Sequence, residues 1–235
     1  MFNSYKDIEF IYLDGGSVLF HRNSPDKDHI ANELGFDLKN YDEIVMAVVA
    51  TQTPEEGEAF WHINTLEKEY EVINRFHVKM CEYLKKPYTQ ELITKLTEFR
   101  IKADFSLKPG VPEALKRLNS KYKLGVLSNA LPSRKHFELK LENIDTYFDP
   151  IILSFEEGFQ KPSLEIYNIA IEESGIDSKK ILFVDDKISF LDGAKQAGIG
   201  CLILHTSAKN HTEAKNGTLY HSVNNLLELC ELLEV

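Results

Sequence analysis

The sequence predicts an α/β protein: a parallel sheet covered by helices on both faces, interrupted after its first strand by an all-helical segment. Three observations carry this. Short apolar runs at 8–13, 123–127, 151–153, 181–184 and 201–204 each stop at polar residues. Between and after them lie helical patterns at 111–119, 132–141, 163–174, 188–197 and 222–233. Strands of four to six residues alternating with helices of about ten are the pattern of a parallel sheet buried on both faces. Third, residues 23–104 break the alternation, with amphipathic stretches at roughly 26–34, 40–50, 55–84 and 89–102 and no convincing strand.

The elements follow in order. The first run, Ile8-Glu9-Phe10-Ile11-Tyr12-Leu13, ends at Asp14-Gly15-Gly16. The stretch 40–50 suits either a helix or a strand, because Ile44, Val45, Val48 and Val49 satisfy both periods. Lys108-Pro109-Gly110-Val111-Pro112 marks the return to the sheet, with Pro112 near the first turn of a helix. The last helix carries Val223, Leu226, Leu227, Cys230 and Leu233 at helical spacing. The division expected is a core of residues 1–22 and 105–235 and a helical insert of residues 23–104.

Composition limits the function classes. With 43% apolar and 11% aromatic residues the chain can bury a sizeable core. A formal net charge of −10 disfavours nucleic-acid backbones and anionic membrane surfaces as partners. It does not disfavour a small phosphorylated metabolite, since one local lysine outweighs a distant average. The longest apolar run, seven residues from Ile44 to Ala50, is far short of the roughly 20 that span a bilayer. The first seven residues lack the charged and apolar regions of a secretory signal. Cys81, Cys201 and Cys230 are widely spaced and read as reduced, buried thiols, so the cytoplasm is the expected compartment. Nothing in the pattern decides between a monomer and a homodimer.

Ligands of such sheets sit outside the carboxyl ends of the strands. Sorting polar residues by that rule brings Asp14, Ser128, Asn129, Asp185 and Asp186 to one edge, with Lys161 in the loop before a helix. These residue types suit phosphoryl transfer. An aspartate can attack phosphorus. Carboxylates can hold a hard cation such as Mg²⁺. A hydroxyl, backbone N–H groups and an ammonium can bind phosphate oxygens and neutralise charge. Elsewhere, His205, His211 and His221 lie in a polar tail without zinc-ligand spacing, and His21 reads as a surface residue. Trp61, between Phe60 and His62, reads as insert core. Glu67, Lys68, Glu69 and Glu71 read as a solvated helical face.

Four segments together resemble the motifs of the haloacid dehalogenase superfamily. Leu13-Asp14-Gly15-Gly16-Ser17-Val18-Leu19-Phe20 is similar to its first motif, Val126-Leu127-Ser128-Asn129 to its second, and Gly158-Phe159-Gln160-Lys161-Pro162 to its third. Phe183-Val184-Asp185-Asp186, running on to Gly193-Ala194 and Gly198, is similar to its fourth. The resemblance implies a Rossmann-like core with a helical cap at 23–104. It also implies a Mg²⁺-dependent hydrolase of phosphoric monoesters. By the same resemblance Asp14 is the nucleophile, Ser128 and Asn129 bind phosphate, and Lys161 neutralises charge there. Asp14, the Gly16 carbonyl and Asp186 hold the metal, with Asp185 a weaker ligand.

Two departures bear on activity. Gly16 stands where the family's phosphatases carry a general acid–base aspartate, and losing a positioned general acid costs about 10²–10⁴ in rate. Phe190 stands where the fourth motif has Asn or Asp to support the metal. Three alternatives follow. One is a weak or inactive ligand-binding protein of this fold, and another is a metal-independent 2-haloacid dehalogenase. The third is a different alignment, with Tyr12 in the nucleophile's place and Asp14 as the second aspartate.

Overall fold

The computed structural model describes residues 5–22, 26–102, 105–134, 143–206 and 220–235. Its elements run β1 (Phe10–Leu13), β2 (Phe20–Arg22), α1 (Asp26–Leu34), α2 (Tyr41–Ala50), α3 (Pro54–Trp61), α4 (Leu66–Tyr83) and α5 (Gln90–Ile101). They continue with β3 (Phe105–Leu107), α6 (Val111–Asn119), β4 (Lys123–Ser128), β5 (Phe148–Leu153), α7 (Ser154–Glu157) and α8 (Leu164–Ser174). The last are β6 (Ile181–Asp185), α9 (Ile188–Gln196), β7 (Cys201–His205), β8 (His221–Val223) and α10 (Leu226–Leu232). The main sheet has six strands in the order β5-β4-β1-β6-β7-β8, all paired in parallel. This is the α/β architecture the sequence predicts. A second sheet pairs β2 with β3.

The sheet lies between two apolar layers because successive side chains on a strand point to opposite faces. On one face Phe10, Tyr12 and Phe183 pack with Ile166, Tyr167 and Ala170 of α8 and Leu191 and Ala194 of α9. The alternate residues Ile11, Leu13, Leu182 and Val184 are buried equally well. Helices α6 and α10 pack together, with the Cys230 thiol donating to the Ala114 carbonyl at 3.6 Å. Gly125 in β4 permits the close approach of Tyr12, since a Cβ there would stand 2.5 Å from the ring.

The chain groups into two compact units. One comprises Met1–His21, Ser106–Ala130 and Lys135–Val235; the other comprises Arg22–Phe105 and Leu131–Arg134. The second unit has its own core of Ile30, Leu34, Tyr41, Ile44, Val48, Met80, Cys81, Ile93 and Leu96. Inclusion of Leu131–Arg134, from far along the chain, is not visible in sequence order.

Four elements depart from expectation or settle an ambiguity. Residues 41–50 form a helix, because Tyr41, Ile44 and Val48 fall on one buried helical stripe. The stretch 55–84 is two helices. Thr53 and Glu56 form a capping box ahead of α3, and Thr65 accepts from Lys68 N to start α4 afresh. The final helix begins at Leu226; His221–Val223 is instead an edge strand, and Asn225 caps the helix by accepting from Glu228 N. Of the helix expected at 132–141, Pro132–Arg134 is a 3₁₀ turn and the remainder lies outside the described residues. Among the described residues no helix is long and apolar enough to cross a membrane. All three cysteines are free and buried.

Candidate active site

Three adjacent strands deliver the site. Asp14 follows β1, Ser128 ends β4 and Asp185 ends β6, and parallel register places Leu13 opposite both Val126 and Val184. Asp14 is fixed there by its backbone, its N–H donating to the Val184 carbonyl at 3.0 Å. Gly15 and Gly16 then turn the chain sharply: Leu19 and Phe20 N–H both bond the Gly15 carbonyl, and Val18 N–H bonds the Gly16 carbonyl at 2.6 Å. Ser17 in this turn has φ of 60°, in the left-handed region.

Lys161 crosses into this edge and is wholly buried. Its ammonium donates to Asp14 Oδ1 at 2.7 Å, Asp185 Oδ2 at 2.6 Å and the Leu127 carbonyl at 2.9 Å. An ammonium has three N–H donors, and all three are taken. The backbone of Lys161 is fixed too. Asn129 Nδ2 donates to its carbonyl and its N–H donates to Asn129 Oδ1, both at 2.9 Å. Ala130 is held by Ser154, whose hydroxyl accepts from Ala130 N at 3.2 Å and lies 3.3 Å from its carbonyl.

One ammonium between two buried carboxylates leaves negative charge in excess. Burial, chiefly, pushes the Asp14 carboxyl up to about 7. The Asp185 and Asp186 charges add to this and Lys161 opposes it. Burial also raises Asp185. Burial alone would lower the Lys161 ammonium, but Asp14 and Asp185 override it and hold the group above its ordinary value. Asp185 Oδ1 accepts from Lys187 N–H at 2.9 Å, so both its oxygens are engaged. Asp186, next along, is only half-buried. Lys108 donates to the Ser17 carbonyl; burial lowers its ammonium, against the Asp186 and Asp14 charges.

The structure thus brings Asp14, Ser128, Asn129, Lys161 and Asp185 to one edge, with Gly16 and Asp186 beside them. Asp14 Oδ2 faces Gly16, where an added Cβ would lie 3.8 Å away. Tyr12 points elsewhere: it is buried in the core and donates to the Ala170 carbonyl at 2.7 Å. That removes the basis for placing it as a nucleophile.

Three side chains contradict or extend the sequence reading. Glu69 is not on a solvated face. It is 1% exposed, and its carboxylate accepts from Ser133 N–H at 2.8 Å and Ser133 Oγ at 2.7 Å. The carboxylate is stable there because both bonds come from Ser133, 64 residues away, which no local charge pattern reveals. Phe190 and Phe183 place their rings 5.1 Å and 5.2 Å from Lys161 Nζ. Phe183 is buried in β6 and Phe190 half-buried in α9, and neither period reveals that their rings meet at the ammonium. His21 is exposed as expected, and its Nε2 lies 3.0 Å from Ser106 Oγ. His205 is buried, His221 pairs with the Tyr5 hydroxyl at 2.7 Å, and His211 lies outside the described residues, as does the side chain of Trp61.

Residues 36–204 match the family of haloacid dehalogenase-like hydrolases. The chain belongs to that family. Among its relatives is glyceraldehyde 3-phosphate phosphatase of Methanothermobacter thermautotrophicus, 29% identical over 53% of this chain and 58% of the relative. (S)-2-haloacid dehalogenase 4A of Burkholderia cepacia is 28% identical over 55% of this chain and 56% of its own. The chain thus spans a little over half the length of these curated relatives. In fold, this haloacid dehalogenase-like chain is similar to the hydrolase YfnB of Bacillus subtilis bound to magnesium. The TM-score is 0.71 at 14% identity, covering 97% of this chain and 99% of that one. Both a phosphatase and a dehalogenase therefore stand among the relatives of this chain.

Proposed function

We propose that this hydrolase is a Mg²⁺-dependent phosphatase of a small phosphorylated metabolite, acting through an aspartyl-phosphate on Asp14. The observation that supports it best is the buried Lys161 ammonium, 2.7 Å from Asp14 Oδ1 and 2.6 Å from Asp185 Oδ2. It orients the nucleophile by one oxygen and leaves Oδ2 for attack. The donor chemistry is that of a hard-cation site with few protein ligands, because Asp14 and Asp185 share a single ammonium and the charge of Asp186 acts on Asp14 as well. Asp14, the Gly16 carbonyl and Asp186 would hold Mg²⁺, which screens the repulsion between anionic nucleophile and anionic substrate. The phosphatase relative supports phosphoryl chemistry. The reading keeps the protein in the cytoplasm, in agreement with its three free thiols.

In the first half-reaction Asp14 Oδ2 bonds to phosphorus as the bond to the leaving oxygen breaks, and the phosphoryl group passes to Asp14. Ser128 and the N–H groups of the following turn receive its oxygens. Lys161 acts through Asp14, since its three N–H are already committed. In the second half-reaction water attacks phosphorus and releases inorganic phosphate and the Asp14 carboxylate. Gly16 offers no side chain to protonate the leaving oxygen, so the substrates that suit this site are acyl or anomeric phosphates, whose leaving groups need little protonation.

Release of inorganic phosphate from a panel of sugar and acyl phosphates, with and without Mg²⁺, tests the proposal. Full activity in Asp14→Asn refutes the nucleophile. Halide release from 2-chloropropionate, insensitive to chelator, replaces the reading with a dehalogenase. No turnover, together with a thermal shift by a phosphorylated metabolite, replaces it with a binding protein.

A further inference from the structure

Phe190 departs from its family at a position that normally carries a polar metal-supporting side chain, and the structure shows what its ring does instead. The Lys161 ammonium has no solvent exposure and no N–H to spare. Its remaining surface faces two aromatic rings, Phe190 at 5.1 Å and Phe183 at 5.2 Å, within the range of cation–π attraction. The Phe190 ring is itself held in place. Its backbone carbonyl accepts from the Tyr167 hydroxyl at 2.7 Å, its N–H bonds the Lys187 carbonyl at 3.0 Å, and the Lys187 ammonium lies 4.7 Å from the ring. Tyr167 is fully buried, so that anchor is rigid.

A ring differs from Asn or Asp in one chemical respect that matters here. It attracts a cation through its π face but accepts no strong hydrogen bond. A polar side chain at 190 would compete with Asp14 Oδ1 for an N–H of Lys161, and would bring water with it. The ring stabilises the charge while leaving all three N–H directed at Asp14, Asp185 and the Leu127 carbonyl. We propose that Phe190 is a positioning residue: it holds the Lys161 ammonium dry and aimed at Asp14, in the place of a polar group. The proposal rests on the reading of Asp14 as nucleophile, and its test separates the two.

The experiment compares Phe190→Tyr, Phe190→Leu, Phe190→Ala and Phe190→Asn in the full chain. The readouts are steady-state kinetics and ¹⁵N-lysine NMR of the ammonium signal, assigned through its loss in Lys161→Arg. Wild type and Phe190→Tyr are expected to show a slowly exchanging Lys161 ammonium at neutral pH, and Ala and Asn to lose it. The kcat of Ala, Leu and Asn should fall roughly tenfold with KM changed less than about twofold, while Tyr stays near wild type. Phe190→Leu with wild-type kcat overturns the proposal, because shape alone would then suffice. So does an unchanged ammonium signal in Phe190→Ala and Phe190→Asn. If wild type hydrolyses no phosphate ester, the nucleophile reading fails while the NMR signal still decides the role of Phe190.

Discussion

Lys161 Nζ and Asp185 Oδ2 stand 2.6 Å apart with neither side chain exposed to solvent. A buried pair of this kind adds little over a well-packed apolar pair. Removing Asp185 leaves Lys161 paired with Asp14 but strands one of its N–H groups, and the Lys187 N–H, without an acceptor in a dry site. Asp185→Ala should therefore lower unfolding free energy by about 1–3 kcal/mol for each group left unsatisfied. Asp185→Asn, which keeps an acceptor, should cost less. Urea unfolding curves measure both, and equal losses would mean that the charge of Asp185 is irrelevant.

Glu69 accepts both polar hydrogens that Ser133 offers. Glu69→Ala leaves a buried N–H and hydroxyl unsatisfied and should cost about 1–3 kcal/mol for each. Ser133→Ala removes one of the two bonds and should cost less. A double-mutant cycle should show strong coupling between the two positions. Additive losses would show that the two residues do not stabilise the fold together.

Two histidines should make stability sensitive to acid. Burial pushes His77 down to about 3, assisted by Arg100, and burial followed by Lys108 pushes His205 down to about 4. Thr97 donates to Asn74 Oδ1 at 2.7 Å, so His77 Nδ1, 3.0 Å away, must be the donor to Thr97. Burial, which disfavours the charged form, keeps the imidazole neutral in the fold. With folded values below the ordinary 6.5, the unfolded chain binds more protons between about 3 and 6.5. The stabilisation is whole above about 6.5 and is lost as pH falls toward 3. Each group contributes up to about 1.4 kcal/mol per pH unit in that window. Asp14 and Asp185, held above the ordinary carboxylate range, pull the other way. The measurement is thus the change in slope of stability between pH 4 and 6.5 when His77 or His205 becomes Gln. No change in slope would refute the assignment.

Gly193 sits where a Cβ would meet the Pro162 carbonyl at 2.7 Å and the Tyr167 ring at 2.8 Å. Gly193→Ala should push α9 away from the Lys161-Pro162 turn, costing about 1–3 kcal/mol by overpacking. Turnover should fall further than stability predicts, since the same displacement moves the turn that carries Lys161. Wild-type kcat in a destabilised Gly193→Ala would uncouple the helix from the site.

Strand ends were the most legible part of this chain. Apolar runs that stop at Asp14, Ser128 and Asp185 show up in one dimension, because burial on both faces needs uninterrupted apolar residues. Lys161 was identifiable only through the motif around it, since a lysine in a loop is ordinarily solvated. Burial of Glu69 is hidden in a charged run because its partner, Ser133, is remote in sequence. The edge strand His221–Val223 looks helical in one dimension because Val223 also fits the helical spacing of Leu226 and Leu227. The role of the Phe190 ring depends on a distance of 5.1 Å to Lys161 Nζ, which no periodicity encodes.

The reciprocal bonds between Asn129 and the Lys161 backbone act as one more rung beyond the edge of the sheet. With the Leu127 carbonyl gripping the ammonium, both ends of Lys161 are set by the end of β4 and the residue that follows it. A one-residue slip in β4 would therefore displace both ends of Lys161 together.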